Sequence, residues 1–484
     1  MFKELRKNHW SYLIEYLIKE IRQSYFLIFI AIMSWNDGGW MYIIIGIAVA
    51  FSIISSLANW ISIRFCVEEN SLVYNKGIIK KIKIHIPFDK ITTIDIRVSI
   101  VDRICNTCSA KIDTGASKLK EAEIKLKIKK DEAENLKEII LKNKKSINKE
   151  EIKIDNEDII KRIITGKELL VYAVTKGKLL GTLGAFFIAI QFSQEIEEFF
   201  NVSIVDSVDT YVNKNYILGQ SITSLLLWGF MLLVIIYILI TIIFMVYENI
   251  RLYKYTITSD GRNISINYGI LNKKEYILPI KKIHALRYKQ GILQQILGLF
   301  TIEAVTIGYG DENNEKAIIY PIANKKFIEE VINKLIPQFV FNEEVKVPPK
   351  RAISLFIIKT TLILLVILIP VAIFISKLSI LIEIIIVVFI LVVNIILGYI
   401  NYRNTSLGIG KNTILATSGS LVKSSIIIRQ SSVQSIIIKE SPFKKRKRVC
   451  NFIINIYTNK FGENVEVLNM STDLKEELYN NIVM

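Results

Sequence analysis

Few clusters in this 484-residue chain have the residue types and spacing that chemistry requires. Cys105 and Cys108 form a C-N-T-C motif, which is half of a tetrahedral zinc site or a redox pair. The chain has 4 cysteines and 3 histidines, and no second C-x-x-C motif or histidine pair completes a zinc site. An internal repeat, described below, aligns both cysteines with apolar residues, so we interpret them as small hydrophobic residues of a core.

The remaining catalytic signals also lack partners. Gly308, Tyr309 and Gly310 resemble part of a nucleotide loop, but position 313 is Asn and no helix begins there to hold a phosphate. No G-x-S-x-G or H-E-x-x-H motif occurs. Four aspartates lie along one strand region without a partner base: Asp89, Asp95, Asp102 and Asp113. We therefore predict a protein that is not an enzyme and that uses no cofactor or metal ion.

Composition places the chain at a membrane. Hydrophobic residues make up 51% of the sequence and the mean hydropathy is +0.38, which excludes an ordinary soluble protein. The net charge of +17 suits either nucleic acid or the anionic inner face of a membrane. No helix-turn-helix, zinc finger or aromatic stacking platform accompanies the basic residues, so we expect a lipid bilayer and no nucleic acid as partner.

Uncharged runs predict membrane-spanning helices. Four strong runs cover 41–63, 221–247, 352–376, which is interrupted only by Lys359, and 378–402, which carries Glu383. Two shorter runs cover 23–36 and 179–194. The connection 195–220 carries one lysine against five acidic residues, which sums to 1 − 5 = −4, whereas the long stretches on the other side are basic. This positive-inside pattern predicts six spans in three hairpins, in the cell membrane, with both termini in the cytoplasm.

Each hairpin is followed by a repeated polar segment with alternating, strand-like patterning. A glycine turn begins the pattern in all copies, at Gly77, Gly269 and Gly419. Pro87 and Pro279 follow the first two glycines by ten residues, but Arg429 replaces proline in the third copy, which has therefore diverged. Amphipathic helices near 131–142, 324–336 and 471–483 close the copies.

This order of strands and one closing helix resembles the bacterial pleckstrin-homology (PH) family. The resemblance lies in the glycine turn and the I-P-x-x-K-I run around Pro87, with its counterpart around Pro279. It implies a mixed fold: six transmembrane helices plus α+β modules, each a bent antiparallel sheet capped by a C-terminal helix. The predicted order is an N-terminal segment and hairpin (1–63), PH-like module 1 (64–150), a linker (151–178), hairpin 2 (179–247), module 2 (248–346), hairpin 3 (347–402) and the divergent module 3 (403–484).

Basic residues are the candidate ligand-binding groups. The densest charge is the run Lys444, Lys445, Arg446, Lys447 and Arg448. Each such charge near an anionic leaflet contributes about 1 kcal/mol, so the run predicts contact with lipid headgroups, and the alternative is a solvated loop on the cytoplasmic side. Further lysines follow the glycine turns in equivalent positions, where some PH folds bind headgroups: Lys81, Lys273 and Lys423.

We expect a membrane scaffold that presents PH-like modules to cytoplasmic or membrane partners. The resemblance implies a smaller membrane protein with a single PH-like module as partner, and a role in envelope defence against membrane-active peptides. The alternative is a transport component whose six spans form a path regulated by the modules. Within or beside the spans, however, we find few groups that could line a path, chiefly Lys359, Glu383 and Asn394.

Overall fold

The computed structural model describes residues 5–23, 40–68, 70–77, 80–91, 93–113, 123–136, 139, 160–176, 222–306, 317–374, 380–456 and 463–482. The short runs predicted at 23–36 and 179–194 fall outside these residues, apart from Gln23. The described helices are α1 (Ser11–Gln23), α2 (Trp40–Ser62), α3 (Ile100–Cys105), α4 (Gly166–Thr175), α5 (Ile222–Arg251), α6 (Ile292–Leu297), α7 (Lys325–Phe327), α8 (Asn333–Leu335), α9 (Ile353–Phe374), α10 (Ile380–Asn404), α11 (Pro442–Arg446) and α12 (Leu474–Ile482).

The four strong apolar runs all form helices, namely α2, α5, α9 and α10. Two segments, Val234–Arg251 in α5 and Val387–Asn404 in α10, are long and apolar enough to cross a membrane by length and composition. The hairpin of α9 and α10 is held partly by Asn394, whose side-chain amide donates to the Thr361 hydroxyl at 2.7 Å. Six membrane spans are not confirmed by these helices and stay a prediction.

The strands form antiparallel sheets, as the alternating pattern predicts. The first set of strands is β1 (Arg6–Lys7), β2 (Arg64–Val67), β3 (Ser71–Lys76), β4 (Ile82–Pro87), β5 (Thr93–Val98), β6 (Thr107–Asp113) and β7 (Glu123–Lys129). The second set is β8 (Ile160–Ile163), β9 (Thr256–Ser259), β10 (Asn263–Tyr268), β11 (Lys273–Pro279), β12 (Ile283–Gln290), β13 (Leu299–Thr306) and β14 (Ala317–Asn324). The third is β15 (Val345–Lys346), β16 (Ser406–Ile409), β17 (Thr413–Ser418), β18 (Lys423–Arg429), β19 (Val433–Lys439), β20 (Val449–Ile456) and β21 (Glu463–Ser471).

Each set of seven strands is one module with two sheets, a four-stranded first sheet and a three-stranded second sheet. A closing helix follows the last strand: residues 130–136 are helical in module 1, α12 closes module 3, and a π-helical turn at Ile328–Ile332 joins α7 to α8 in module 2. Apolar residues of both sheets and the closing helix form a separate core in each module.

Neighbouring modules share sheets, which the sequence did not predict. The second sheet of module 1 continues into the first sheet of module 2 because β5 pairs with β11, and we call this pairing the first seam. Modules 2 and 3 join in the same way through β12 and β18, at the second seam. Each shared sheet has seven strands. At the second seam, Ile427 of β18 packs into the core of module 2, while Ala285 of β12 packs into the core of module 3. The shared sheet therefore separates two cores and holds the modules in a fixed row.

Residues 160–176 of the predicted linker 151–178 contribute structure to module 2. Strand β8 pairs with β9, and α4 packs on α5 and β14. A short strand also precedes the apolar helices in the other two modules. Strand β1 pairs with β2, and β15 pairs with β16. The alternation in so short a strand is too brief to read from the sequence.

Candidate membrane interface and module seams

The three glycine turns have one shared backbone conformation. Gly77, Gly269 and Gly419 have φ angles of 99°, 102° and 115°, in the left-handed region that favours glycine. A Cβ atom at Gly269 would lie 2.3 Å from the carbonyl oxygen of Asn272, so no other residue fits without movement. The turns place the preceding and following strands of each first sheet in register.

A 3₁₀ turn follows each of these hairpins. Pro87 and Pro279 precede it with φ angles of −61° and −64°, and Arg429 takes the same place in module 3 with φ −72°. Arginine can adopt this backbone conformation without the ring, so the proline-free third copy keeps the turn. The divergence read from the sequence at Arg429 is therefore a side-chain difference, and the local backbone is the same.

The glycine turns of modules 2 and 3 lie where the long apolar helices meet the modules. The amide of Gly269 donates to the carbonyl of Tyr253 at 2.9 Å, and the amide of Ile270 donates to the carbonyl of Ile250 near the end of α5 at 3.2 Å. In module 3, the side-chain amide of Asn404, the last residue of α10, donates to the Gly419 carbonyl at 2.9 Å. We call this side of the row the base face.

Short helices complete the base face. The side-chain amide of Gln295 in α6 donates to the carbonyl of Ser420 in the third glycine turn at 2.9 Å, so α6 lies beside the end of α10. Helix α11 is the equivalent in module 3, and α3 is the equivalent in module 1, where it contacts α1. The three short helices therefore lie in equivalent places relative to the row.

The base face exposes large apolar side chains. Ile296 of α6 is 74% exposed, and Phe443 of α11 is 77% exposed. Others with exposed side chains lie on α3, on α6 or directly after the glycine turns: Ile100, Ile104, Ile270, Leu271, Ile292, Leu297, Leu421 and Val422. Clustered exposed apolar residues mark interaction or membrane sites in soluble domains, and here they lie at the ends of long apolar helices.

The basic run lies at this same face. Lys447 donates to the hydroxyl of Ser354 in the first turns of α9, and a guanidinium nitrogen of Arg351 lies 3.4 Å from the Arg448 carbonyl oxygen. Lys445 and Arg446 are exposed. The basic run therefore surrounds the point where α9 begins, beside the exposed ring of Phe443.

Lys444 is the inward-facing member of the run. Its ammonium donates to the side-chain oxygen of Asn451 in β20, and burial lowers its pKa. This side chain ties α11 to the second sheet of module 3. The exposed members of the run, Lys445, Arg446 and Arg448, remain available to contact an external anionic surface.

The lysines that follow the glycine turns do not converge. Lys81 is exposed before β4, whereas Lys273 and Lys423 begin β11 and β18 and stand opposite Val98 and Gln290 at the two seams. One lysine therefore belongs to each module, and the three do not form a shared headgroup pocket. Their common position is at the start of the last strand in each first sheet.

The two seams have the same register. Val98 opposes Lys273 at the first seam, and Gln290 opposes Lys423 at the second. In each pair the first residue lies 21 positions after its glycine and the second lies 4 positions after the next glycine. The modules therefore dock on one another in a repeated geometry.

Comparison with known proteins agrees with this repeated architecture. The profile of the bacterial PH domain matches residues 23–144, 202–338 and 354–482, which together cover more than half of the chain. The chain belongs to the bacterial PH domain family. It is also 23% identical over 466 residues to the UPF0699 transmembrane protein YdbT of Bacillus subtilis, across 93% of this chain and 91% of that protein. No solved structure matches significantly.

Of the two cysteines predicted to pack in a core, Cys108 lies in the core of module 1, whereas Cys105 at the end of α3 is only half-buried. Cys108 is fully buried in β6, and burial raises the pKa of its thiol to about 12, which disfavours the thiolate that binds zinc. Cys450 occupies the equivalent position in module 3, where burial raises its pKa to about 11. Among the residues that the structure describes, no group of three His, Cys, Asp or Glu side chains could hold a metal ion.

A buried ion pair fixes the N-terminal helix to PH-like module 1. The ammonium of Lys127 in β7 lies 2.8 Å from the Asp102 carboxylate and also contacts Glu15 of α1. Burial alone would raise the pKa of Asp102, but hydrogen bonds from Lys127, Thr107 and Ser99 outweigh it and lower that pKa. This contact anchors α1, which precedes the first hairpin, to the module.

The sequence did not identify the apolar base-face residues. Their signal is an apolar pair directly after the glycine turn, Ile270–Leu271 in module 2 and Leu421–Val422 in module 3, where turns are ordinarily polar. The signal is visible in the sequence, but its meaning depends on the neighbouring ends of α5 and α10.

Proposed function

We propose that this protein is a non-enzymatic membrane scaffold that holds three PH-like modules in a row against the cytoplasmic leaflet. In this proposal, six spans in three hairpins anchor the row, and both termini lie in the cytoplasm. The observation that carries the proposal is the base face, where exposed apolar side chains and the basic run surround the ends of the apolar helices.

The base face has the chemistry of a leaflet contact. Apolar side chains such as Ile296, Leu421 and Phe443 can enter the acyl boundary, and the adjacent cations can contact anionic headgroups. The helix ends fix the height of the modules, so insertion requires no rearrangement. We propose recognition of anionic headgroups in general and not of one particular headgroup, because the lysines of the glycine turns do not form a common pocket.

Shared sheets explain how three modules can act as one support. Strand pairing at both seams prevents the modules from moving independently, and each core includes residues from the neighbouring sheet at the second seam. A rigid row presents its surfaces at fixed spacing to a partner. We propose a smaller membrane protein with a single PH-like module as that partner, with envelope defence against membrane-active peptides as the cellular role.

The transport alternative has less support. The described polar contact between α9 and α10 joins Asn394 to Thr361, so these side chains satisfy each other and do not line an aqueous path. Lys359 lies near the start of α9, close to the basic run, where a long side chain can reach the headgroup region.

Affinity purification from gently crosslinked native membranes tests the scaffold. We expect a stoichiometric membrane-protein partner to co-purify, and a strain without this protein to become more sensitive to membrane-active peptides. A variant with Lys445→Gln and Arg446→Gln should still reach the membrane. Recovery of the protein without any other protein, together with unchanged peptide sensitivity, would contradict the proposal.

A further inference from the structure

At each end of the row of modules lies a strand edge whose equivalents inside the row are paired at the seams. Strand β4 of module 1 is equivalent to β11 and β18, which pair with a preceding module. Strand β19 of module 3 is equivalent to β5 and β12, which pair with a following module. Within the described part of the chain, β4 and β19 are each the outermost strand of their sheet. The row therefore ends in two complementary edges.

Side chains on these edges are more exposed than their counterparts inside the seams. Ile437 of β19 is 43% exposed, whereas its counterparts Asp95 and Arg287 are 4% and 6% exposed. Ile84 of β4 is partly buried, but its counterpart Tyr276 is fully buried. Ile437 is therefore exposed at a position where modules 1 and 2 bury a charged residue. We infer that Ile437 also becomes covered when the row is extended.

The register of the two seams can be extended to the end edges. Arg287 opposes Ile426 at the second seam, and the equivalent pair at the ends is Ile437 with Ile84. Gln290 opposes Lys423, and the equivalent pair at the ends is Glu440 with Lys81, directly beyond β19 and β4. Within the chain, Glu440 forms an ion pair with Lys475 of α12, so Lys81 would join an existing pair. Extension of the row thus brings an apolar pair together in the middle of the strands and opposite charges together at one end.

We propose that β19 of one copy pairs with β4 of a second copy of this chain, in the register of the internal seams. The chemistry that selects the partner is the β4 edge itself, with Ile84 facing Ile437 and Lys81 facing Glu440. Because the contact is head-to-tail, repetition gives a ring or a filament in the plane of the membrane. The inference rests on the proposed scaffold, since it extends the row of modules that the scaffold presents.

A cysteine pair across the proposed seam tests the register. Two differently tagged full-length copies, both with Cys105→Ser, carry Lys439→Cys in one and Ile82→Cys in the other, at opposing positions of the extended register. Oxidation in native membranes should give a crosslinked dimer, because a disulfide needs Cβ atoms about 4 Å apart. Lys289→Cys with Ser424→Cys in one chain is the positive control, since these residues oppose each other at the second seam.

The matched negative control moves one cysteine along the strand. Lys439→Cys with His85→Cys is three residues out of register, about 10 Å along the strand and on the opposite face. We expect about a tenfold higher crosslink yield for the in-register pair, because only that pair meets the distance required for a disulfide. Glu440→Lys should lower the yield, and Lys81→Glu in the other copy should restore it.

The outcomes separate this inference from the scaffold proposal. Equal yields for in-register and out-of-register pairs, or no crosslink while the internal control forms fully, would overturn pairing between copies. A crosslink from Lys439→Cys to a different protein would also overturn it, but would support a scaffold with another partner. If no partner co-purifies and a strain without this protein keeps its sensitivity to membrane-active peptides unchanged, the scaffold proposal is contradicted, whatever the crosslink shows.

Discussion

Lys447 donates a hydrogen bond to the hydroxyl of Ser354, and this contact ties the basic run to the first turns of α9. The end of α11 in module 3 is thereby held at the point where an apolar helix begins. The basic run can contact a leaflet only if it stays at this height, so the pair connects the module fold to the proposed membrane contact.

Two exposed charges of the basic run, Lys445 and Arg446, should control how closely module 3 approaches an anionic bilayer. A spin label at Phe443→Cys reports this approach in nanodiscs with and without anionic lipid. We predict that Lys445→Gln with Arg446→Gln shifts the equilibrium away from the inserted state by about 2 kcal/mol, at about 1 kcal/mol per charge. Lys325→Gln with Lys326→Gln removes two exposed charges of α7 and should leave the label unchanged.

The glycine of the second turn should not tolerate a side chain. Gly269→Ala forces a left-handed residue, with its Cβ 2.3 Å from a carbonyl oxygen, so we predict a loss of at least about 1–2 kcal/mol in the free energy of unfolding. Thermal unfolding in detergent measures the change. The matched control is Gly166→Ala at the start of α4, where no heavy atom lies within 4 Å of the new Cβ. Equal effects of the two substitutions would contradict the role of the turn.

Module 1 should be strongly destabilised when one partner of its buried ion pair is removed. Lys127→Met leaves Asp102 buried without its ammonium, and we predict a loss of about 3–5 kcal/mol. The double variant Lys127→Met with Asp102→Asn should recover part of this loss, because no carboxylate then remains unpaired. Denaturant unfolding of Lys127→Met, Asp102→Asn and the double variant gives the coupling energy, and simple additivity would contradict the direct interaction.

Asp102 also predicts an acid dependence of stability. Its pKa is lowered on folding, so its contribution is present above the unfolded value of 3.8 and is lost as the pH falls through the lower folded pKa. The pH window is therefore below about 4. We expect Asp102→Asn to reduce the slope of stability against pH in that window, and an unchanged slope would contradict the assignment.

The second seam should weaken in mild acid. His284 of module 2 lies 2.8 Å from the Ser432 hydroxyl of module 3, and its pKa is lowered by burial and by the nearby charges of Arg429 and Lys282. A lowered histidine pKa favours the neutral ring, so this stability is present above pH about 6.5 and is lost as the pH falls through the folded pKa. Hydrogen exchange of β12 and β18 should rise in that range, and His284→Gln should remove the dependence.

Much of each module could be predicted from sequence because the signals are local. The glycine turn, the alternation before Pro87 and the closing helices depend on neighbouring residues, and the strands and helices form there. The seams could not be predicted in this way. A strand with alternating residues, such as β11, has the same pattern whether its edge is free or paired, and tertiary docking decides between these states.

Lys127 illustrates the same limit within a module. Lys125, Lys127 and Lys129 alternate with apolar residues along β7, yet Lys127 is buried. Contacts with Glu15 of α1 and with Asp102 cover its side chain. Long-range contacts of this kind leave no periodic trace in the strand itself.

The depth of the glycine turn of module 3 tests the central claim most directly. Spin labels at Leu421→Cys and Lys411→Cys, in full-length protein with Cys105→Ser in anionic nanodiscs, lie at opposite ends of β17, about 20 Å apart. The scaffold account predicts that the Leu421 label is protected from an aqueous relaxation agent and relaxed by oxygen in the bilayer, while the Lys411 label is fully accessible to water. Equal aqueous accessibility of the two labels would contradict the placement of the modules against the leaflet.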